Sequence, residues 1–360
     1  MSRHTVLQCI TPSRVAGAER HLAWLAPRLR ARGHAVSIAC NESSRGLENF
    51  RALMQQSDFD VAALPIGGKA NLRALAALLG ETRRTRAKLT HSHLSSASWW
   101  CGWLQNLGGC PSLGHVHGFT SARWHSRQKQ LIACSGAVKQ HLVAQGLDAA
   151  RIAVLHNPVD AADLKPARAA SDVRAEIGAD ESTPVVGTFA HLSEKKGWRE
   201  WLGAIPEVLR AQPKTQFWCV GDGPMRAELE NAAQQNNFAP SVRFLGFRRD
   251  VADVMNAIDV MALPSHREPF GLVYVEAALL GKPSVACNAG GAPEVVVDGE
   301  TGILVAPRDA DSLARGIIEI LDDRARAERM GNLARERALD LFGWSTFLPQ
   351  LESLYDKVIA

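Results

Sequence analysis

Short runs of β-branched and apolar residues alternate with longer amphipathic segments along nearly the whole chain, which predicts strands and helices in strict turn. In the first half the apolar runs place strands at 5–10, 35–39, 61–64, 88–91, 112–116, 131–133 and 152–155. The clearest helix is expected over 19–32, where Leu22, Leu25 and Leu29 recur at spacings of three and four; Pro27 lies inside it and Gly33 offers a stop. A polar stretch over 161–181, with a short helix at 171–177, then interrupts the pattern. The second series puts strands at 185–189, 216–220, 242–244, 259–263, 284–287 and 302–305. An Ala- and Arg-rich helix over 323–341 follows, and after the break at 342–345 a last helix runs over 346–359. This alternation is that of parallel α/β construction, and the lapse at 161–181 divides it into two doubly wound domains.

Composition narrows the class. The 360 residues exceed what one core usually supports, and 46% hydrophobic with 22% charged residues excludes a disordered or fibrous chain. No apolar run approaches the ~20 residues that would span a bilayer, and the N-terminal apolar segment is too short for a signal peptide, so a cytoplasmic protein is expected. The seven cysteines are scattered without a Cys-x-x-Cys pair, which suggests buried free thiols in a reducing compartment.

The net charge of +4 conceals an asymmetry: residues 1–165 carry 20 Lys and Arg against 9 Asp and Glu, the remainder 21 against 28. Trp24, Trp99, Trp100, Trp103 and Trp124 fall in the same basic half. Basic groups with interfacial tryptophans suit peripheral contact with an anionic membrane, here the inner face of the cytoplasmic membrane. Nucleic acid is not expected as a partner, because no recognised binding module accompanies the charge.

The richest stretch is 266–276, His-Arg-Glu-Pro-Phe-Gly-Leu-Val-Tyr-Val-Glu. Glu268 and Glu276 bracket a Pro-Phe-Gly turn just after a strand and just before an apolar helix, where a parallel sheet opens its ligand crevice. A carboxylate accepts two hydrogen bonds from vicinal hydroxyls. Phe270, Gly271 and Leu272 fall at the helix start, whose backbone N–H groups favour phosphate. Gly17 opens the first long helix, but Gly-x-Gly-x-x-Gly is absent, which excludes the dinucleotide fingerprint. Alternation puts His115 and His117 on one strand face, and His91 and His93 form a similar pair. A metal cluster from these four lacks any supporting carboxylate spacing.

These segments together resemble the retaining glycosyltransferases of family 4, which have the GT-B fold. The resemblance runs through Gly17-Ala18-Glu19-Arg20, Arg32-Gly33-His34, Cys134-Ser135 and Asn157-Pro158-Val159-Asp160 in the first half. In the second it runs through Ala190–Gly197, Gly221-Asp222-Gly223-Pro224, Val242–Phe247, Ser265–Glu276, Gly290–Glu294 and Asp298–Gly302. It implies two facing Rossmann-like domains, 1–165 for the acceptor and 183–343 for the nucleotide-sugar donor, with 344–360 as a helix crossing back onto the first.

By the same resemblance Glu276 holds the ribose, Glu268 faces the donor sugar, Lys196 and His191 meet the diphosphate, and the backbone near Phe247 lies by the base. Gly17 and His117 face the donor from the first domain, with His117, Lys196 and Glu268 in catalytic roles. Two departures stand out. His191 replaces the usual arginine with a group that titrates near neutral pH, and Ala16 replaces one glycine of the first loop. The implied reaction moves a sugar from a UDP- or GDP-sugar to an acceptor hydroxyl, on a lipid-linked, lipopolysaccharide or other cell-surface glycan precursor, without metal or cofactor. A sugar-nucleotide epimerase, a phosphorylase, or a nucleotide-sugar-binding subunit of low activity are the alternatives.

Overall fold

A computed structural model describes residues 3–12, 17–42 and 46–360. The chain separates into two compact units, Met1–Pro158 with Ser345–Ala360, and Val159–Trp344. The break therefore falls before the polar stretch read from sequence as the connector, and that stretch belongs to the second unit.

The first unit holds β1 (Thr5–Ile10), α1 (Gly17–Ala31), β2 (Ala35–Asn41), α2 (Leu47–Gln55), β3 (Val61–Leu64), α3 (Arg73–Thr85) and β4 (Leu89–His93). It continues with α4 (Ser95–Asn106), β5 (Ser112–Val116), β6 (Gln130–Ala133), α5 (Gly136–Val143) and β7 (Ile152–Val154). Its seven strands pair in parallel in the order β3-β2-β1-β4-β5-β6-β7, so the order reverses between β1 and β4. Leu7, Cys9, Ala97 and Leu104 fill one core cluster, and Ile10, Leu22, Ala26 and Phe50 fill another.

The second unit holds α6 (Ala170–Ile177), β8 (Val185–Phe189), α7 (Trp198–Ala211), β9 (Gln216–Val220), α8 (Arg226–Gln235), β10 (Val242–Gly246) and α9 (Val251–Asn256). Then come β11 (Val260–Leu263), α10 (Leu272–Leu279), β12 (Ser284–Cys287), α11 (Ala292–Val295), β13 (Gly302–Val305), α12 (Ala310–Asp322) and α13 (Arg324–Leu341). Six parallel strands run β10-β9-β8-β11-β12-β13, with the reversal between β8 and β11. Trp198, Trp201 and Phe217 are buried in this unit's core, and burying each such side chain contributes about 1.5–3 kcal/mol. Helices α12 and α13 begin at Asp309 and Asp323, whose carboxylates accept from Ser312 N–H and Arg326 N–H.

The last helix, α14 (Trp344–Ile359), packs on the first unit's sheet through Phe347, Leu351, Tyr355 and Val358, all buried. Glu352 fixes it: Arg32 Nε and Nη2 each donate at 2.7 Å, Arg3 stands at 2.8 Å and His34 Nε2 at 3.0 Å. These contacts hold the carboxyl down to about 2, the Arg32 guanidinium contributing most. Among the described residues no helix is long and apolar enough to cross a membrane. All seven cysteines are free, and all but Cys110 are buried.

Candidate functional site

In open parallel sheets ligands bind beyond the carboxyl ends of the strands, at the point where strand order reverses. In the second unit that point lies between β8 and β11, and the loops leaving these two strands carry Ala190–Lys196 and Pro264–Gly271. The structure joins them directly: Lys196 Nζ donates to Glu268 Oε2 at 2.6 Å, with both side chains largely shielded from water.

Glycines allow this meeting. Gly197 has φ +74°, and a Cβ there would stand 2.0 Å from the Pro264 carbonyl oxygen. Behind Glu268, Gly291 N–H donates to the Glu268 carbonyl at 2.8 Å, and a Cβ on Gly290 would stand 2.1 Å from the same oxygen. The Gly290-Gly291 pair thus clamps the backbone that carries the acid. In the sequence these glycines stood out through the Gly290–Glu294 resemblance and their adjacency, neither of which indicates that they contact Glu268.

Gly271 caps α10 with φ +100°, and Tyr274 packs against it while its hydroxyl donates to the Leu263 carbonyl at 2.6 Å. Tyr274 N–H already donates to the Gly271 carbonyl at 2.9 Å, so the partial positive charge of the helix start rests on the N–H groups of Leu272 and Val273 ahead of it. Phe270 is buried against Phe342, so it contributes backbone and packing. Leu272 and Glu276 lie one turn apart on the half-exposed face of α10, whereas Tyr274, Val275, Ala277 and Ala278 face the core.

His191 is exposed just past β8, and its Nδ1 bonds the Asp222 carbonyl, which also accepts Leu192 N–H at 3.0 Å. A carbonyl only accepts, so Nδ1 carries the proton and Nε2 of the neutral ring keeps a lone pair. His191 can then donate outward only as imidazolium. Gly221 and Gly223 bring the Asp222 loop close enough, since a Cβ on either would stand 2.0 or 2.4 Å from backbone oxygens of Ala190 or Leu192.

Phe247, 70% exposed, follows β10 on the sheet's edge, three strand spacings or about 14 Å from β11. The adjacent Arg248 is held by Asp250 and Glu176.

In the first unit His117 lies one residue beyond β5, next to the reversal between β1 and β4. Its Nε2 stands 2.9 Å from His93 Nδ1, and its ring stacks on His115 at 4.0 Å. Burial pushes it down to about 3 against the opposing pull of Asn157, so it is a neutral imidazole at any physiological pH. Leu94, which follows β4, holds φ +69°, an uncommon conformation for a branched residue. Gly17 is exposed at the start of α1, and Ala16 lies outside the described residues.

Comparison with known proteins gives the family and the fold. The family model "Glycosyltransferase Family 4" matches residues 15–163, and "Glycosyl transferases group 1" matches residues 170–337. The chain is 28% identical to a glycogen synthase of Mycobacterium tuberculosis, over 96% of this chain and 92% of that one. It is 32% identical to a D-inositol 3-phosphate glycosyltransferase of Corynebacterium kroppenstedtii, over 64% of this chain and 53% of the relative. Among solved structures, Anabaena Alr3699/HepE with UDP superposes with a TM-score of 0.88 at 25% identity, covering 98% of this chain and all of that one. The same protein with UDP-glucose gives 0.85 at 26% identity, over 99% of this chain and 100% of the other.

Proposed function

Because the chain belongs to the group 1 glycosyltransferases of family 4 and has the GT-B fold, we propose that it transfers a hexosyl group from a UDP- or GDP-sugar to an acceptor hydroxyl with retention of configuration. The observation that carries this reading is the Lys196–Glu268 pair beside the start of α10, at the reversal point of the second sheet. A nucleotide-sugar needs a cation and backbone donors for its diphosphate and carboxylates for its hydroxyls, roles that Lys196, the start of α10 and the acids Glu268 and Glu276 are suited to fill. The UDP and UDP-glucose in the similar Anabaena structures favour a uridine donor.

Each residue takes a distinct part. Glu276 accepts from the ribose hydroxyls and Glu268 from the donor sugar, while the first turn of α10 and Lys196 hold the phosphates. Lys196 has three N–H donors, so it can serve Glu268 and the leaving phosphate together as negative charge grows on the latter. The bond from the anomeric carbon to phosphate oxygen breaks, and the bond to the acceptor oxygen forms on the same face. The acceptor proton passes to the leaving phosphate. Gly17 and the neutral His117 are assigned to the donor on the family resemblance. No metal or cofactor enters this scheme.

The acceptor we propose is a lipid-linked or cell-surface glycan precursor at an anionic membrane. Trp99, Trp103 and Trp124 make a half-buried aromatic surface on the first unit. Arg127 stands 4.0 Å over Trp103, and Lys69 and Arg123 each 4.1 Å from Trp124. Of the other basic residues, Arg30 is paired with Asp58 and Arg84 with Glu81. If salt fails to release the protein from anionic vesicles, the electrostatic part of this assignment is wrong.

A thermal-shift panel of UDP, GDP and ADP with their sugars tests the donor site. One base should raise the melting temperature in the wild type and much less in Lys196→Ala. Product anomeric configuration by NMR tests retention, and full turnover by Glu268→Ala would sink the site.

A further inference from the structure

The first unit buries a group of histidines of which the proposed transfer uses only His117. Parallel pairing sets His93 beside His115, and side-chain alternation places His91, His93 and His115 on one face of the sheet. All three are fully buried, with ring centroids 4.4 Å apart for His91 and His93, 5.5 Å for His93 and His115, and 5.7 Å for His91 and His115. One nitrogen from each lies within 4.8 Å of the other two.

Two features separate this from ordinary core packing. Neither ring nitrogen of His115 and not Nε2 of His91 has a hydrogen-bond partner, although each is sealed from water. Buried polar atoms are rarely left so, and apolar side chains would fill the same space without that cost. The second feature is the way neighbours engage one ring nitrogen of His93 and of His91 from outside the group. Gln8 Oε1 accepts from His93 Nε2 at 3.0 Å, which leaves Nδ1 with a lone pair, at present 2.9 Å from His117 Nε2. The Tyr355 hydroxyl, which accepts from Gln8 Nε2 at 3.2 Å, stands 2.8 Å from His91 Nδ1, and when it accepts that nitrogen's proton Nε2 keeps a lone pair. A ligating histidine commonly engages its other ring nitrogen with an outer partner in this manner.

We propose that His91 Nε2, His93 Nδ1 and a ring nitrogen of His115 bind one divalent transition-metal ion of the zinc class. Three neutral imidazoles suit Zn²⁺, Co²⁺, Ni²⁺ or Cu²⁺ and disfavour the oxygen-seeking Mg²⁺ and Ca²⁺. Bonds of 2.0–2.1 Å put tetrahedral ligand atoms about 3.3 Å apart, so the rings must close by at most about 1.5 Å. Sequence spacing offered no carboxylate to complete such a site; the fold supplies Gln8 and Tyr355 instead. The site lies wholly in the first unit and supplies no ligand atom to the proposed transfer, although an ion on His93 Nδ1 would replace that nitrogen's contact with His117. Its effect is to tie β4 to β5 and, through Tyr355, to α14.

The test uses the full chain without an affinity tag, unfolded in chelator, refolded with one equivalent of Co²⁺ or Zn²⁺ and desalted. The wild type should retain one ion per chain by elemental analysis, show the visible bands of low-coordinate cobalt, and give an X-ray absorption spectrum with three imidazole ligands. His115→Gln should lose the ion, and His141→Gln should keep it. Tyr355→Phe, which conserves packing, should weaken metal affinity roughly 10–100-fold. Metal-free wild type after desalting, fewer than two imidazoles in the absorption spectrum, or unchanged metal content in His115→Gln would each overturn the proposal. If His115→Gln does not fold, the wild-type spectrum and Tyr355→Phe decide the matter.

Discussion

Replacing Gly290 with alanine tests whether the glycine clamp sets the position of Glu268. The added Cβ would stand 2.1 Å from the Glu268 carbonyl oxygen, against an ordinary contact above about 3.2 Å, so that backbone must retreat by roughly 1 Å. The residue also holds φ +62°, which costs a non-glycine side chain about 1–2 kcal/mol. Steric strain adds about 1–3 kcal/mol more, which predicts an overall loss of about 2–5 kcal/mol in urea unfolding. Misplacing a reacting group by 1 Å costs about a hundredfold in rate, so kcat/KM should fall to about 1% in initial-rate assays with the donor that the shift panel identifies. Gly281→Ala is the control: its φ is +69°, but a Cβ there meets nothing within 4 Å. It should lose about 1 kcal/mol of stability and keep its activity. Activity within twofold of wild type for Gly290→Ala, or equal activity losses in both variants, would refute the argument.

Further outcomes follow from the same contacts. Lys196→Ala leaves the shielded Glu268 carboxylate without its cation and should lower turnover by about 10²–10³-fold with an unchanged circular dichroism spectrum. Glu352→Gln should cost about 2–3 kcal/mol at pH 7 by urea unfolding, a figure reduced because Arg3 and Arg32 are partly exposed. The folded carboxyl titrates at about 2, below its unfolded value near 4.3, so the wild-type advantage is full above about pH 4.3 and fades as pH falls toward 2. A gap that stays constant from pH 7 to pH 2.5 would contradict that assignment. Deleting 346–360 strips Phe347, Leu351, Tyr355 and Val358 from the first unit, at about 1.5–3 kcal/mol each. This should leave the first unit sensitive to protease under conditions in which the second resists it, and an intact first unit would show that α14 is dispensable to its core.

The strand and helix order was legible in the chain because each buried parallel strand is a short apolar run and each covering helix carries a 3.6-residue stripe. Thr5–Ile10, Val185–Phe189 and Ser284–Cys287 occupy the residues their hydrophobicity marks. The Glu268–Glu276 segment was likewise visible, since a turn between strand and helix leaves a local signature. Contacts between distant segments were not. Lys196 and Glu268 are 72 residues apart and meet only because the strand order places β8 beside β11. The same holds for Gly290 under Glu268, for the Asp222 carbonyl on His191, and for Tyr355, whose hydroxyl reaches His91 across 264 residues. Sequence by itself determined which elements form and which residue types could bind a sugar nucleotide, because these follow from local periodicity and side-chain chemistry. Tertiary structure alone decided which acid meets which cation, which ring nitrogens are left without partners, and where glycine must stand, because those depend on distances between chain segments that only packing brings together.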